Sequence, residues 1–445
     1  MTNYPKLLQI KQEFPHIAVN NIVEKIKSEI ANLKLDRMIK PNDSIAITAG
    51  SRGIADINTI TKAVVDELIK LRGRPFIIPA MGSHGGATAE GQLDVLAGYE
   101  ITEESMGVPI KSSMEVVKIG ENKDGIPIYL DKNAVAADHI VVINRVKPHT
   151  RFVGEIESGL IKMLLVGLGK DIGAKIYHRA IMKHTFDQII DSALPMVLSK
   201  VSVLLGMAII ENAYGNVADI RAIKSEEFIK AEPKLKKEAS RLMAKLPFKD
   251  IDLLIIDEMG KDISGTGMDI NIIGRQQEST QMPSRATPAR QSRLGGWSGH
   301  DSGQVLNDDV RIARIFVRDL TPKSHGNACG IGLADFTTRR LVDKIDSQKT
   351  YINCLTGLRP EGAKIPMTFD YDKDAIDAGI STCGVENTNN VKIVWIKNTL
   401  DLEKVIISEA YLDDLKGRDG LEQLSPAKEL AFDSSGSLPL FNAWA

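Results

Sequence analysis

The 445-residue sequence predicts a two-domain α/β protein: a larger N-terminal α/β domain with a mostly parallel sheet, a smaller C-terminal α/β domain, and an active site in the cleft between them. Three observations predict it. The chain is too long for one ordinary hydrophobic core. Continuous apolar runs closed by glycines alternate with amphipathic stretches, the rhythm of βαβ units. A charged helical segment, Lys224 to Lys245, then separates two such blocks.

In the first block the strands are read at Ser44 to Ala49, Pro75 to Met81, Asp138 to Asn144 and Val201 to Ile210, with an amphipathic helix from Asn58 to Leu71 and the helix-like run GLIKMLLVGLG after the third strand. Uninterrupted apolar strands suit a parallel sheet covered on both faces. A fresh strand, DLLIID, begins at Asp252, so the boundary is placed near Phe248. The domains expected are 1–248, 249–412 and a weakly patterned tail, 413–445. In the second domain strands are read at Ala313 to Val317 and Val391 to Ile396, and helices around Asp335 to Ile345 and Leu402 to Leu412. The segment Gln276 to Asp308, rich in Ser, Gly, Arg and Gln, fits neither rhythm and reads as a long insertion loop, either a lid or a connection without a role.

Lysine and arginine, 56 in all, balance 58 aspartates and glutamates, so no global field favours nucleic acid or an anionic membrane. No stretch approaches the roughly 18 apolar residues that span a bilayer, and the charged N-terminus lacks a signal-like apolar segment. A cytoplasmic protein is expected, with a homo-oligomer left open. The three cysteines, Cys329, Cys354 and Cys383, form no CxxC pair and indicate neither a disulfide framework nor a thiolate metal cluster.

Open α/β sheets place ligands where strand carboxyl ends meet helix N-termini. Three turns occupy such positions. Gly50-Ser51-Arg52-Gly53 offers backbone amides to an anion and an arginine to clamp a carboxylate, or is simply a tight turn. Gly82-Ser83-His84-Gly85 sets a histidine among small residues, suited to acid/base work or to capping. Asn144-Arg145-Val146-Lys147-Pro148-His149 uses proline to fix the backbone before His149. Lys162 follows in an apolar run, where a lysine snorkels, is paired or is modified. His178 comes sixteen residues later, and His184 six further, a spacing that does not put both on one helix face. Asp257, Glu258 and Asp269 read as surface carboxylates, and His16 and His139 as structural or surface histidines.

The ordered set of arginine turn, G-S-H turn, P-H turn, lysine in a glycine-rich apolar run and a histidine sixteen residues on resembles the nickel-pincer-nucleotide-dependent lactate racemase family, from about Ser44 to about Ile396. Met259-Gly260-Lys261-Asp262 resembles the lysine-bearing strand end of that family's second domain. The resemblance implies that Lys162 tethers the pyridinium-3-thioamide-5-thiocarboxylic acid mononucleotide, with Gly50 and Ser51 beside it, and that His178 ligates nickel. It implies His84 and His149 as the acid/base pair, Arg52 and Lys261 as substrate contacts, and dedicated cofactor maturation proteins as partners. The activity implied is racemisation or epimerisation of a 2-hydroxy acid by hydride transfer. Inverting a carbinol centre that way needs a hydride acceptor and one base for each enantiomer, a demand two histidines meet. The spacing from His149 to Lys162 is longer than in lactate racemase itself. The extra basic residues Arg145, Lys147 and Arg151 and the Gln276 to Asp308 insertion imply a substrate other than lactate, larger or more acidic. Two other classes remain: a zinc-dependent lyase or hydrolase using the same histidines, and a non-catalytic cofactor-binding paralogue.

Overall fold

The computed structural model describes residues 4–51, 53–149, 154–181, 183–275 and 310–444, and the chain divides into two compact units, His16–Met243 and Met1–Pro15 with Ala244–Ala445. Arg52, Arg151 and the loop expected from Gln276 to Asp308 lie outside the described residues. No helix among the described residues is long and apolar enough to cross a membrane.

The unit His16–Met243 is built on a five-stranded sheet, in spatial order Arg74–Pro79, Ser44–Ala49, His139–Arg145, Val203–Glu211 and Val217–Ile223; the first four run parallel and the last is antiparallel. Strand residues alternate between faces. Ile45, Ile47, Val141 and Ile143 meet Ile26, Ile30, Ile60, Val64 and Leu68 from the helices Ile22–Asn32 and Ile57–Lys70. Ala46, Ile78, Ile140 and Val142 face the opposite core, filled by Leu160, Ile161, Leu164, Ile189 and Phe228. Both faces are therefore covered, which explains the uninterrupted apolar strands and leaves the carboxyl edge of the sheet for chemistry.

The other unit holds an eight-stranded sheet in the order Met367–Phe369, Phe336–Thr338, Arg311–Leu320, Asp250–Met259, Ile393–Ile396, Lys404–Ser408, Leu7–Gln12 and Leu421–Gln423. The first five are mutually parallel and the remaining pairings antiparallel. The first sheet is thus mostly parallel, as the sequence predicts, and the second is mixed, with five parallel strands.

The division differs from the expected 1–248, 249–412 and 413–445. The N-terminal strand Leu7–Gln12 completes the second unit's sheet, because Leu7, Leu8 and Ile10 need burial on both faces. The segment after 412 is integral: it supplies an edge strand and seats Leu430, Leu438, Phe441 and Trp444 in the core. Two expected helices also change. Asp335 to Ile345 opens with the strand Phe336–Thr338, and Leu402 to Leu412 contains the strand Lys404–Ser408, whose Val405-Ile406-Ile407 run favours a pleated, buried setting.

The C-terminal segment is clamped by a buried ion network. Arg318, 4% exposed, bonds Asp372 Oδ2 at 2.7 Å and Asp257 Oδ1 at 2.5 Å. It also donates to Leu438 O at 2.8 Å, while Asp257 accepts from Trp395 Nε1 at 2.5 Å and from Phe441 N at 2.9 Å. Asp257 is therefore a network member rather than a surface carboxylate. Asp269 is buried and caps the short helix Ile270–Ile273 through Asn271 N at 2.9 Å. Asp372→Ala would take one of two carboxylates from the buried Arg318 guanidinium, and we expect it to cost about 3 kcal/mol in denaturant unfolding; Asp413→Ala, which breaks an exposed pair with Lys416, should leave the midpoint where it was.

Candidate functional site

Three strands of the first unit end side by side at the sheet's carboxyl edge. After Ser44–Ala49 the chain turns at Gly50, where a Cβ would lie 2.9 Å from the Met163 methyl, so the first turn packs against the start of the π-helical stretch. Ser51 follows. Its carbonyl accepts from Tyr99 Oη at 3.0 Å and its hydroxyl meets His84 Nδ1 at 2.5 Å. The first two candidate turns are thus joined side chain to side chain.

The second turn follows Arg74–Pro79. Gly82, at φ +60°, occupies the left-handed region, and its N–H donates to Gly167 O at 3.2 Å. The Gln92 amide holds the far side of the turn, donating to Gly82 O at 3.0 Å and to His84 O at 3.2 Å. Gln92 Oε1 in turn accepts from Lys170 Nζ at 3.1 Å. Lys170 has no solvent exposure; its ammonium also bonds Pro79 O and lies 3.1 Å from Asp131, a contact of charge proximity rather than hydrogen-bond geometry. Burial pushes the Lys170 pKa down, and Asp131 opposes that shift. Neither Lys170 nor Gln92 stood out in the sequence, since a lysine opening a helix ordinarily points to water.

The third turn follows His139–Arg145. Asn144 Nδ2 donates to Gly159 O at 2.7 Å, and Lys147 N to Ser158 O at 3.0 Å, so the loop returns on itself. Inside it, Glu157 accepts from His149 N at 2.7 Å and pairs with Lys236 at 2.8 Å. Arg145 pairs with Glu211, whose other oxygen accepts Ala55 N at 2.8 Å, tying this strand end to the segment just past the first turn. Arg145 is consequently a structural cation.

From this loop the chain enters a short helix, Leu160–Lys162, then a π-helical stretch, Met163–Gly167, then the helix Lys170–Ala180 that carries His178 in its last turn. A π-helical turn is rare and recurs at functional sites. Lys162 is half-buried between Ile161 and Met163, and His178 is half-buried beside the fully buried Tyr177. The second turn packs on this same stretch: a Cβ on Gly82 would lie 3.5 Å from Cβ of Ala174, one helical turn before His178. Gly50, Ser51 and His84 therefore gather around the segment between Lys162 and His178, and His149 sits on the loop that leads into Lys162.

Glu232 stands at the start of that segment. It is 1% exposed, accepts Ile161 N at 2.8 Å, and its Oε2 would lie 2.8 Å from a Cβ on Gly159. Burial pushes its carboxyl up to about 7, against the opposing pull of the Ile161 and Leu160 amides.

Lys261 lies in the other unit, just past the strand Asp250–Met259, and its ammonium donates to Gly265 O at 2.5 Å and Asn353 Oδ1 at 2.7 Å. Arg52 lies outside the described residues. Among the described residues no three His, Cys, Asp or Glu side chains come together as a metal site, so His84, His149 and His178 do not form one. Two surface clefts, of about 850 and 830 Å³, are lined by none of these residues.

The raised carboxyl of Glu232 makes a signed prediction. The folded chain holds this proton up to about pH 7 while an unfolded glutamic acid loses it near 4.5, so stability falls as pH rises through that window. Urea unfolding from pH 5 to pH 8 should show wild type losing up to about 3 kcal/mol more than Glu232→Gln; parallel pH profiles would contradict this.

No curated protein is a significant match to the chain. A family model described as the lactate racemase N-terminal domain matches residues 6–188. Among solved structures, the lactate racemase apoprotein from Thermoanaerobacterium thermosaccharolyticum is similar at 16% identity and a TM-score of 0.41. That alignment covers 56% of this chain and 66% of the other, just under two thirds of its length. Residues 6–188, which carry Gly50, Ser51, His84, His149, Lys162 and His178, are therefore similar to the lactate racemase N-terminal domain.

Proposed function

We propose that the chain is a racemase or epimerase of 2-hydroxy acids that works with a nickel-pincer nucleotide tethered to Lys162. The observation that carries this reading is the joining of Ser51 to His84 in a turn that packs on the Lys162-to-His178 segment, within the stretch that matches the lactate racemase N-terminal domain.

The residues present fit such a group. Lys162 is half-buried at the entry to a π-helical turn, with Ile161, Leu164 and Leu165 fully buried around it, a setting that favours a modified over a freely solvated amine. A Cβ at Gly50 would press on the Met163 methyl, whereas a Cβ at Gly86, two residues past His84, would meet nothing within 4 Å. His178 offers one imidazole, which suits a metal whose other donors come with the group itself.

When bound, the nucleotide supplies the acceptor and donor of hydride. The chain's own part is proton handling and orientation. With Nδ1 of His84 engaged by Ser51, proton exchange with the substrate hydroxyl falls to Nε2. His149, aimed by Pro148 and by the Glu157 bond to its N–H, serves the opposite enantiomer. Arg52 and Lys261 are assigned the substrate carboxylate, for which a basic fork and a point charge are suitable partners. Loading of Lys162 requires cofactor maturation proteins. A zinc lyase or hydrolase is disfavoured because its three histidines do not meet as a metal group.

Protein produced together with maturation enzymes should carry a mononucleotide-sized mass adduct that disappears in Lys162→Ala; an unmodified Lys162 in protein that has bound nickel would overturn the tether. In loaded enzyme, His84→Gln and His149→Gln should each lower kcat by about 10²–10⁴-fold in chiral assays across a panel of 2-hydroxy acids, the range expected for loss of a general acid/base. Near-wild-type turnover of either variant would remove that histidine from the pair.

A further inference from the structure

Two of the three cysteines, 25 residues apart in sequence, meet in the unit that carries Lys261. The backbone brings them together. Ala328 N donates to Thr350 Oγ1 at 3.1 Å, and Thr350 Oγ1 donates to Gly326 O at 3.3 Å, so the loop before Cys329 runs along the helix Ser347–Thr356. Thr350 and Cys354 are four residues apart and share a helix face. Cys329, next after Ala328, is thereby brought to Cys354, whose thiol it perturbs more than any other group does. Cys329 is 7% exposed and Cys354 1%. Cys383, also buried, packs in the core with Leu253 and Ile380.

The surroundings are cationic. Lys261 stands near enough to Cys354 to favour its thiolate, and Arg359 has Cys329 within electrostatic reach. The Lys261 ammonium is held by Asn353, the residue before Cys354. A movement of Cys354 is therefore passed directly to a side chain that holds Lys261.

We propose that Cys329 and Cys354 are a redox modification site, a dithiol that a peroxide closes to an intramolecular disulfide and whose closure changes the hold of Asn353 on Lys261. The Cys329 thiolate, the less buried sulfur, attacks one peroxide oxygen and expels hydroxide, giving a sulfenic acid. The Cys354 sulfur then attacks that sulfur, and its proton leaves with the hydroxyl as water. One peroxide and two thiols give one disulfide and two waters. The adjacent thiol and burial push the Cys354 pKa up, which fits Cys354 as the resolving rather than the attacking sulfur.

The test uses the full chain, exposed to hydrogen peroxide, then denatured, alkylated and mapped by mass spectrometry. Before oxidation all three cysteines should alkylate; afterwards only Cys383, with the Cys329 and Cys354 peptides linked and two hydrogen masses lost, and dithiothreitol should restore the rest. Cys383→Ser should leave the link intact, and Cys354→Ser should convert it to a dimedone-trapped sulfenic acid on Cys329. The acetylation rate of Lys261 should change several-fold on oxidation. Three alkylated cysteines after peroxide, irreversible sulfinic acid, or a link through Cys383 would overturn the site, and an unchanged Lys261 rate would overturn its coupling. The wild-type map decides the first point even if Cys354→Ser does not fold.

Discussion

A lysine ammonium shut away from water has to be met by oxygen atoms, and that demand at Lys170 organises the candidate site. Its partners come from three separate places: Pro79 at one strand end, Asp131 at the end of the strand Pro127–Asp131, and Gln92 on the helix Ala89–Ala97. Gln92 spends its other end on the carbonyls of Gly82 and His84. The cation therefore sets the height of the G-S-H turn over the helix that begins at Lys170 and bears His178. Removing either charge would leave the other buried and unpaired, so the arrangement is all-or-none.

Around that anchor, buried or half-buried carboxyl groups repeat one device: each receives backbone N–H groups from a segment in or beside a candidate turn. Glu157 holds His149, Glu232 holds the start of the Lys162 helix, Glu211 holds the segment after the first turn, and Asp187 receives Glu155 N at 3.0 Å and Ile156 N at 3.3 Å. Irregular backbone near a sheet edge leaves polar groups that must be satisfied, and side-chain carboxyl groups from a loop, a strand end and two helices satisfy them without adding secondary structure. Main-chain bonds thus help to place the segments that carry the half-buried imidazoles and lysine, which suits groups that must exchange protons or carry a cofactor.

Much of the first sheet was legible because its strands are short apolar runs closed by glycines, and the Gly50, His84 and His149 turns sit where that pattern puts them. The supporting polar residues were not legible. Lys170 and Gln92 become partners only once strands and helices 78 residues apart are packed. Glu232 lay in a segment that reads as a solvated charged helix, yet it falls in line with the buried Phe228, Leu235, Ala239 and Leu242 at spacings of four, three, four and three. A carboxylate in an apolar stripe was the available signal. The second unit was harder still: its sheet borrows Leu7–Gln12 from the far end of the chain, a long-range pairing that no local pattern announces.

On the proposed function, the segment from Lys162 to His178, with the His84 turn packed on it and His149 on the loop that leads into it, bears the cofactor. The most direct measurement is a crystal structure of the loaded enzyme with anomalous data at the nickel edge. The account predicts one nickel at bonding distance from the His178 imidazole and density continuous with Lys162 Nζ. Nickel ligated elsewhere, or an unmodified Lys162 beside it, would contradict the account.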